Sequence, residues 1–358
     1  MSADMPMNAD TPAAGTPLVT AQRDPELAAR VVRRLPLRYA TGADPALDRP
    51  AHVRAGSGLA HLRTPAGERL AVVQDDANFV ALVDPATGLA ESVTLPAGAG
   101  GRRTFSKAEG TKHQKLDLEA CCMLDHPARP GARLLVAFGS GSTDRREQVI
   151  VVGGLEAGPA EAAEVTLVDA SALYAALRAE TAFAGAELNV EGAARLRTAD
   201  GDVVRLFARG NGAGNAMGAA CSATCDLDAA ALAAYLTGPA PAPTPRPARV
   251  MRYALGDVDG ERFGFTDATA YQGGVLYVAA AEASADVVDD GPVGGSALGL
   301  VGADGDARWA PIVGEDGGPF LEKVEGVAFD GAGRLWVVID QDDPEQPSEL
   351  CEVALEGA

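Results

Sequence analysis

Residues 323–340 read KVEGVAFDGAGRLWVVID, in which a small or acidic residue, a small residue and an apolar strand precede a turn and a second apolar strand. Four earlier segments share this shape and begin at Gly56, Leu118, Val190 and Phe265. Counted from the second residue of each motif (57, 119, 191, 266 and 325), the spacings are 62, 72, 75 and 59 residues. Further apolar segments follow in most repeats, for example FVALVDPATG and ESVTLP. Four short antiparallel strands, repeated at about 65 residues, are typical of a β-propeller.

The last repeat supplies only three strands, EGVAF, RLWVVID and SELCEVAL. A strand that could complete it, RVVRRLPLRYA, lies at residues 30–40. Pairing the two would close the ring and remove exposed sheet edges. We therefore expect an all-β fold, a five-bladed β-propeller closed by an N-terminal strand that joins the last blade. Residues 25–358 would form this single domain, behind a disordered leader at residues 1–24.

Composition narrows the function classes. The 358 residues include 50 acidic and 30 basic side chains, which gives a net charge of −20. This charge argues against a nucleic acid polymer as ligand, because binding phosphates requires clustered Lys and Arg. No apolar run is long enough to span a membrane, and the first residues lack the pattern of a secretory signal. The sequence predicts a cytoplasmic protein of unspecified oligomeric state whose partner is a small anionic molecule.

Two features interrupt the repeats. Residues 171–180 and 228–236 are typical of short helices, and the Pro-rich residues 239–249 are expected to form a loop within the third blade.

The five cysteines show no disulfide framework, and Cys221 and Cys225 lack the second Cys/His pair that a zinc site needs. We expect reduced thiols.

The repeated motif places five side chains around one axis, because the first strand of each propeller blade lines the central channel. They are Ser57, Glu119, Glu191, Thr266 and Glu325. Three converging carboxylates without a basic partner would repel one another, and burial makes each of them harder to ionise. Ca²⁺ would resolve this conflict, since it takes six to eight oxygen ligands, whereas an all-oxygen set disfavours zinc and copper. The alternative is that these residues satisfy strand-end amides and allow close packing.

The five motifs resemble those of the calcium-activated nucleotidases, the soluble apyrase family, whose blades present Ser, Glu, Glu, Ser and Glu in order. Here Thr266 replaces the second Ser. The segment Gly264-Phe265-Thr266 is similar to the family's Gly-Phe-Ser, and Lys323-Val324-Glu325-Gly326 to its Lys-Tyr-Glu-Gly. The resemblance implies a five-bladed propeller with Ca²⁺ in its channel. It covers about 30 residues and does not extend to the loops that would bind a nucleotide, so a separate bacterial propeller family is the alternative.

The ends of the second strands should meet at one rim of the channel. They supply Asp75, Ser140, Arg209, Glu282 and Asp340, with Asn211 close by. Arg209 could hold a phosphate oxygen, and Asp75 or Asp340 could act as a general base toward water. Ser140, Asn211 and Glu282 would contact the substrate. The alternative is that these residues only form turns.

Residues 101–115, GRRTFSKAEGTKHQK, are basic against the acidic background. Arg102, Arg103, Lys112, His113 and Lys115 could attract an anionic substrate to the channel mouth. The alternative is a solvated loop.

Together these features favour a calcium-dependent hydrolase of phosphoester or phosphoanhydride bonds. Two alternatives remain open at this point. One is a metal-dependent lactonase, esterase or organophosphate triester hydrolase, and the other is a non-enzymatic binding propeller with structural calcium.

Overall fold

The fold of the chain is a ring of antiparallel β-sheets. The computed structural model describes residues 15–210, 221–238, 242–282, 293–303 and 305–358. Within them, β-strands form five four-stranded antiparallel units. The innermost strands of these units contact one another in sequence, and the fifth contacts the first. The predicted all-β propeller and its closed ring are confirmed.

Four short N-terminal strands precede the first blade: β1 (Leu18–Thr20), β2 (Gln22–Arg23), β3 (Ala28–Pro36) and β4 (Arg38–Tyr39). Strands β1 and β2 add in parallel to the outer edges of blades 3 and 4. The predicted disordered leader of residues 1–24 is therefore wrong for residues 18–23, because their backbone groups pair with these edges. Residues 1–14 lie outside the described residues.

The first two blades follow the predicted pattern closely. Blade 1 contains β5 (Gly56–Thr64), β6 (Gly67–Gln74), β7 (Phe79–Val83) and β8 (Leu89–Thr94). Blade 2 contains β9 (Leu118–Asp125), β10 (Arg133–Gly139), β11 (Gln148–Gly153) and β12 (Glu164–Asp169). Strand β4 pairs in parallel with β8 at the outer edge of blade 1.

Blade 3 carries the helical insertions. It contains β13 (Val190–Thr198), β14 (Gly201–Ala208), β15 (Ser222–Asp228) and β16 (Ala248–Ala254). Helices α1 (Ser171–Ala179) and α2 (Thr181–Ala184) precede it, and α3 (Ala229–Thr237) connects β15 to β16. The helices predicted at residues 171–180 and 228–236 are therefore present as α1 and α3. The described part of the Pro-rich segment 239–249 lies within this blade, as predicted.

Blades 4 and 5 share one hydrogen-bonded sheet. Blade 4 contains β18 (Glu261–Tyr271), β19 (Gly274–Glu282), β20 (Val293–Val301) and β21 (Ala307–Val313), and the two-residue β17 (Asp257–Val258) pairs with the start of β18. Blade 5 contains β22 (Lys323–Phe329), β23 (Leu335–Asp340) and β24 (Glu349–Glu356), and β3 is its fourth strand. Cys351 of β24 pairs with Arg34 of β3, which confirms the predicted closing strand.

Five buried apolar clusters hold the ring together, one at each interface between neighbouring blades. Successive residues of an inner strand serve different clusters, because side chains alternate across a strand. Cys121 packs between blades 1 and 2, whereas Cys122 packs between blades 2 and 3. Neighbouring blades therefore pack face to face through apolar side chains, and the polar residues of the repeated motif lie near the central axis.

Candidate functional site

Each of the five inner strands carries a β-bulge at the repeated motif. The pairing register shifts at residues 56–59, 118–120, 190–192, 265–267 and 324–326. A bulge leaves one residue out of the ladder and redirects its side chain. The redirected residues include Ser57, Glu119, Glu191, Thr266 and Glu325, which we call the channel ring. The five positions predicted from the repeat are therefore structurally equivalent.

The channel ring is polar, and all of its members are buried except Glu119, which is half-buried. Ser57 Oγ donates a hydrogen bond to Glu119 Oε2 of the neighbouring blade. Thr266 Oγ1 donates to the backbone oxygen of Val324 at 2.7 Å, and thus its hydroxyl links blade 4 to blade 5. Glu191 accepts from Asn189 Nδ2 at 2.5 Å. The ring places three carboxyl groups and two hydroxyl groups around one axis.

Basic side chains accompany the ring, which differs from the sequence-based expectation of carboxylates without a basic partner. Lys323 Nζ lies 2.9 Å from Glu325 Oε1. Arg209 Nη1 lies 3.5 Å from Glu191 Oε2, and its Nη2 lies 2.6 Å from Glu282 Oε2. Lys323 and Arg209 are both 7% exposed. Lys323 lies two residues before Glu325, on the other side of the β-bulge at residues 324–326.

A second cluster of carboxyl groups surrounds the buried Lys115 beside Glu119. Lys115 Nζ contacts Asp75, lies 2.7 Å from Asp117 and lies 3.3 Å from Asp76. One carboxylate oxygen each of Asp75, Asp117 and Glu119 lie within 4.8 Å of one another, a spacing compatible with a shared cation. Lys115, predicted to bind substrate, is instead buried among these carboxylates.

Several carboxyl groups of the site have raised pKa values. Burial, reinforced by the charges of Asp75 and Asp117, raises the pKa of Glu119 well above its ordinary value. Burial likewise raises the pKa of Glu191 to about 8, although Arg209 opposes the shift. Burial and the Asp75 carboxylate raise the pKa of Asp76 to about 6. In Asp340 the pKa is raised well above its usual range by burial and by Asp342.

The donor set fits a hard cation such as Ca²⁺. Nine carboxyl groups gather at this end of the channel against four buried basic side chains, Lys115, Arg146, Arg209 and Lys323. The nine are Asp75, Asp76, Asp117, Glu119, Glu191, Glu282, Glu325, Asp340 and Asp342. In addition, Glu325 Oε2 is buried and has no hydrogen-bond partner among the described residues. A buried carboxylate oxygen is costly unless something satisfies it, and a bound cation would do so.

One residue below the ring, the channel is closed by small residues and a single acid. The equivalent positions in the five blades are Gly58, Ala120, Gly192, Asp267 and Gly326. Asp267 is fully buried, and its Oδ2 accepts hydrogen bonds from the backbone N–H of Val327 at 2.9 Å and of Leu59 at 3.3 Å. Its side chain therefore ties blade 4 to blades 5 and 1. We call this residue the channel floor.

A cavity of about 350 Å³ lies at the channel mouth. Its acidic lining comprises Asp75, Asp76, Asp340, Asp342 and Asp343, and its basic lining comprises Arg54, Lys107 and Lys112. Arg54 Nε is buried without a hydrogen-bond partner among the described residues. This cavity brings together acids from blades 1 and 5 with bases from the blade 1 loops, an arrangement suited to an anionic ligand accompanied by a cation.

The predicted basic loop divides between several roles. Lys112 lines the mouth cavity, whereas Arg102 forms an ion pair with Glu109 at 2.9 Å. Arg103 donates to the backbone oxygens of Leu95 and Leu47 and therefore shapes the loop. His113 is exposed on a 3₁₀ turn at residues 112–114. Only part of the predicted basic surface faces the channel.

The other predicted rim residues lie close to the ring but mostly contact one another. Ser140 Oγ is buried and donates to Asp117. Arg209 and Glu282 pair with each other and line a separate cavity of about 300 Å³ between blades 3 and 4. Asp340 lies at the mouth cavity together with Asp75. Asn211 falls outside the described residues.

The sequence analysis missed several residues of the site, among them four that contact the ring or its neighbours. Asp117, Asn189 and Lys323 each lie two positions before a ring residue, so a search of the residues that precede each repeated motif could have identified them. Arg146 reaches Asp117 at 3.0 Å from a 3₁₀ turn at residues 144–146, and no local pattern in the sequence indicates this contact.

Fold and site define a β-propeller with an acidic channel. A sequence model of a family of unknown function, DUF6929, matches residues 52–355. The chain belongs to this family. A comparison with curated proteins found no match.

Several solved structures are similar at low identity. An engineered GH43 glycoside hydrolase with endo-xylanase and exo-arabinofuranosidase activity is 11% identical, with a TM-score of 0.44 over 90% of this chain and 52% of that one. The chain thus spans about half the length of that protein. A thermostable family-43 glycoside hydrolase is 12% identical, with a TM-score of 0.42 over 85% and 91% of the two chains. A putative glycoside hydrolase from Parabacteroides distasonis is 10% identical, with a TM-score of 0.43 over 84% and 88%.

In the described part of the chain, no helix is both long and apolar enough to cross a membrane. All five cysteines are described and free, and four of them are buried.

Proposed function

We propose that this protein is a calcium-dependent hydrolase of phosphoester or phosphoanhydride bonds. The observation that carries the proposal is the position of the mouth cavity. Asp75, Asp340 and three further carboxyl groups line it, and Asp75 also belongs to the carboxylate cluster with Glu119 of the ring. A cation site and an anion-binding wall thus share one opening.

The calcium ion would be held by the five residues of the channel ring, Ser57, Glu119, Glu191, Thr266 and Glu325. Bound Ca²⁺ would polarise an oxygen of the substrate and make a nearby water easier to deprotonate. Side chains of the protein would bind the phosphoryl group and transfer the protons.

Arg54, Lys107 and Lys112 line the wall of the cavity and would hold the anionic oxygens of a phosphoryl group. Because Arg209 is buried and pairs with Glu282, its contacts favour positioning Glu191 over the phosphate contact expected from the sequence. A preference for phosphate would therefore come from Arg54, Lys107 and Lys112, on the blade 1 side of the mouth cavity.

Asp76 is the carboxyl group best suited to accept a proton from water. Its pKa of about 6 lies close to neutral pH, where a general base is both ionised and sufficiently basic. Asp340 keeps its proton more firmly, so it fits a general acid better than the base role expected from the sequence. Asp75 contacts Lys115 and would neutralise its charge beside Asp76.

The test is a hydrolysis panel of nucleotides, aryl phosphates, phosphotriesters and lactones, run with calcium and with chelator. We expect turnover of a phosphate monoester or anhydride that chelation abolishes and that Glu325→Gln lowers at least about 100-fold. The exposed Glu161→Gln serves as the matched charge control. Activity that survives both chelation and Glu325→Gln would overturn the mechanism.

Thermal denaturation separates an enzyme from a binding protein. Calcium should raise the melting temperature of the wild type, and Glu191→Gln should abolish this shift. A calcium shift without turnover of any panel member would favour a binding propeller with structural calcium. Turnover of lactones or triesters alone would favour a lactonase, esterase or triester hydrolase that uses the same site.

A further inference from the structure

Lys323 lies where three carboxylates of the site can compete for it. Its Nζ is 2.9 Å from Glu325 Oε1 in the ring. The same nitrogen is 3.9 Å from Glu282 Oε2 and 3.9 Å from Asp342 Oδ1. This flexible side chain thus contacts the ring carboxylate of Glu325 and lies farther from two carboxylates, one on strand β19 and one on the loop after β23.

The position of Glu325 makes this contact unusual. Lys323 neutralises Oε1, while Oε2 of the same carboxylate is buried without a hydrogen-bond partner among the described residues. Glu325 is 5% exposed, so water does not readily supply that partner. The described part of the chain therefore satisfies one oxygen of this carboxylate and leaves the other without a hydrogen-bond partner.

We propose that Lys323 is the exchangeable counterion of the channel ring. It neutralises Glu325 while no cation is bound, and it shifts toward Glu282 and Asp342 when a divalent cation enters. This inference rests on the calcium site of the proposed function. It adds that Lys323 weakens calcium binding and keeps the ion exchangeable.

Electrostatics gives the direction of the effect. An ammonium group a few ångströms from a divalent ion repels it, and the repulsion is strong where water is excluded. Moving Lys323 away from Glu325 also sacrifices a close ion pair. Both terms lower calcium affinity, while the same ion pair stabilises the cation-free protein. A lysine with only a structural role would stabilise both forms equally.

The experiment is a calorimetric titration of the full chain with calcium, combined with melting temperatures in chelator. For Lys323→Gln we expect a dissociation constant for calcium at least about tenfold lower than that of the wild type. Its melting temperature in chelator should fall. Lys323→Arg keeps the charge and should restore near wild-type affinity, and Arg30→Gln, which removes an exposed charge from strand β3, should change neither quantity.

The outcomes separate this inference from the proposed function. If the wild type binds calcium and Lys323→Gln binds it equally or more weakly, the counterion role is overturned and the calcium site stands. If neither protein binds calcium, both proposals fail. Calcium binding by Lys323→Gln alone would support the role of Lys323 as a competitor.

A second pair of variants covers the case in which Lys323→Gln does not fold. Asp342→Asn removes an alternative partner of Lys323, whereas Asp343→Asn removes a charge from the same mouth one residue further on. We expect Asp342→Asn to weaken calcium binding several-fold more than Asp343→Asn. Equal effects would contradict the proposed movement of Lys323.

Discussion

Oδ2 of Asp267 in blade 4 accepts the backbone N–H of Val327 in blade 5 at 2.9 Å. The same oxygen accepts the N–H of Leu59 in blade 1, so a single carboxyl group joins three of the five inner strands. These amides lie directly beneath the ring, where the strands bulge and cannot satisfy one another fully. The channel floor is therefore part of what fixes the ring geometry.

Asp267→Ala should destabilise the protein substantially. It leaves the buried N–H groups of Leu59 and Val327 without this acceptor, and each unsatisfied group costs about 1–3 kcal/mol. Chemical denaturation should show a loss of roughly 3 kcal/mol or more in the free energy of unfolding. The exposed Glu161→Ala should change it by less than about 0.5 kcal/mol. Wild-type stability in Asp267→Ala would show that the amides find other acceptors.

Gly326→Ala should also destabilise the fold, through crowding. A Cβ at this position would overlap the backbone oxygen of Ser57 and approach Leu59 N to 3.0 Å. Because both contacts are with backbone atoms of the neighbouring blade, relief requires moving a whole strand, and we expect a loss of about 1–3 kcal/mol.

The control for Gly326 is Gly158→Ala. There the added Cβ would make an ordinary contact of 3.7 Å with Ala162, and denaturation should detect little change. A tolerated alanine at Gly326 would mean that blades 1 and 5 are less closely packed than the structure shows.

Stability in chelator should decrease as pH rises from about 4.5 to about 8. The pKa of Glu191 is about 8 in the folded protein against 4.5 for an ordinary Glu, so the folded state keeps a proton that the unfolded state has lost. Its contribution is fully present below pH 4.5 and is lost by about pH 8, at about 1.4 kcal/mol per pH unit for one proton.

Glu191→Gln should flatten this dependence, and saturating calcium should flatten it in the wild type because the ion replaces the protons. Urea denaturation at several pH values measures both effects. A stability that rises between pH 5 and 8 in chelator would contradict the buried, protonated carboxyls.

The hydrolytic rate should rise with pH through about 6 and then level. The reason is that Asp76, with a pKa of about 6, must lose its proton before it can accept one from water. Asp76→Asn should lower kcat by roughly 10²–10⁴-fold and remove this limb of the pH profile. The exposed Glu187→Gln should preserve the profile, and an unchanged limb in Asp76→Asn would assign the ionisation to another group.

The ring could be predicted because it repeats. Five motifs that begin their inner strands reveal equivalent positions, and propeller geometry directs those positions to the axis. The same spacing, two positions before a ring residue, would have added Asp117, Asn189 and Lys323. The pattern of apolar segments likewise predicted β3 as the closing strand, since blade 5 lacked a fourth.

The charge balance could not be predicted in the same way. Lys115 and Arg146 enter the site from irregular segments, whose path depends on contacts with Asp75 and Asp117. A basic loop in the sequence does not reveal which of its side chains turn inward. The small pairing segments at residues 18–23 were also hidden, because two or three residues carry no periodicity.

The pairing of β3 with β24 places residues 28–36 beside residues 349–356 in one sheet. During synthesis, β3 emerges some three hundred residues before its partner, and it must stay unpaired without aggregating until β24 is made. The strand carries three arginines, Arg30, Arg33 and Arg34, and charges on an unpaired edge oppose association while the strand lacks its partner. Ring closure is thus a late, long-range event, so folding should be slow compared with that of a helical protein of this size.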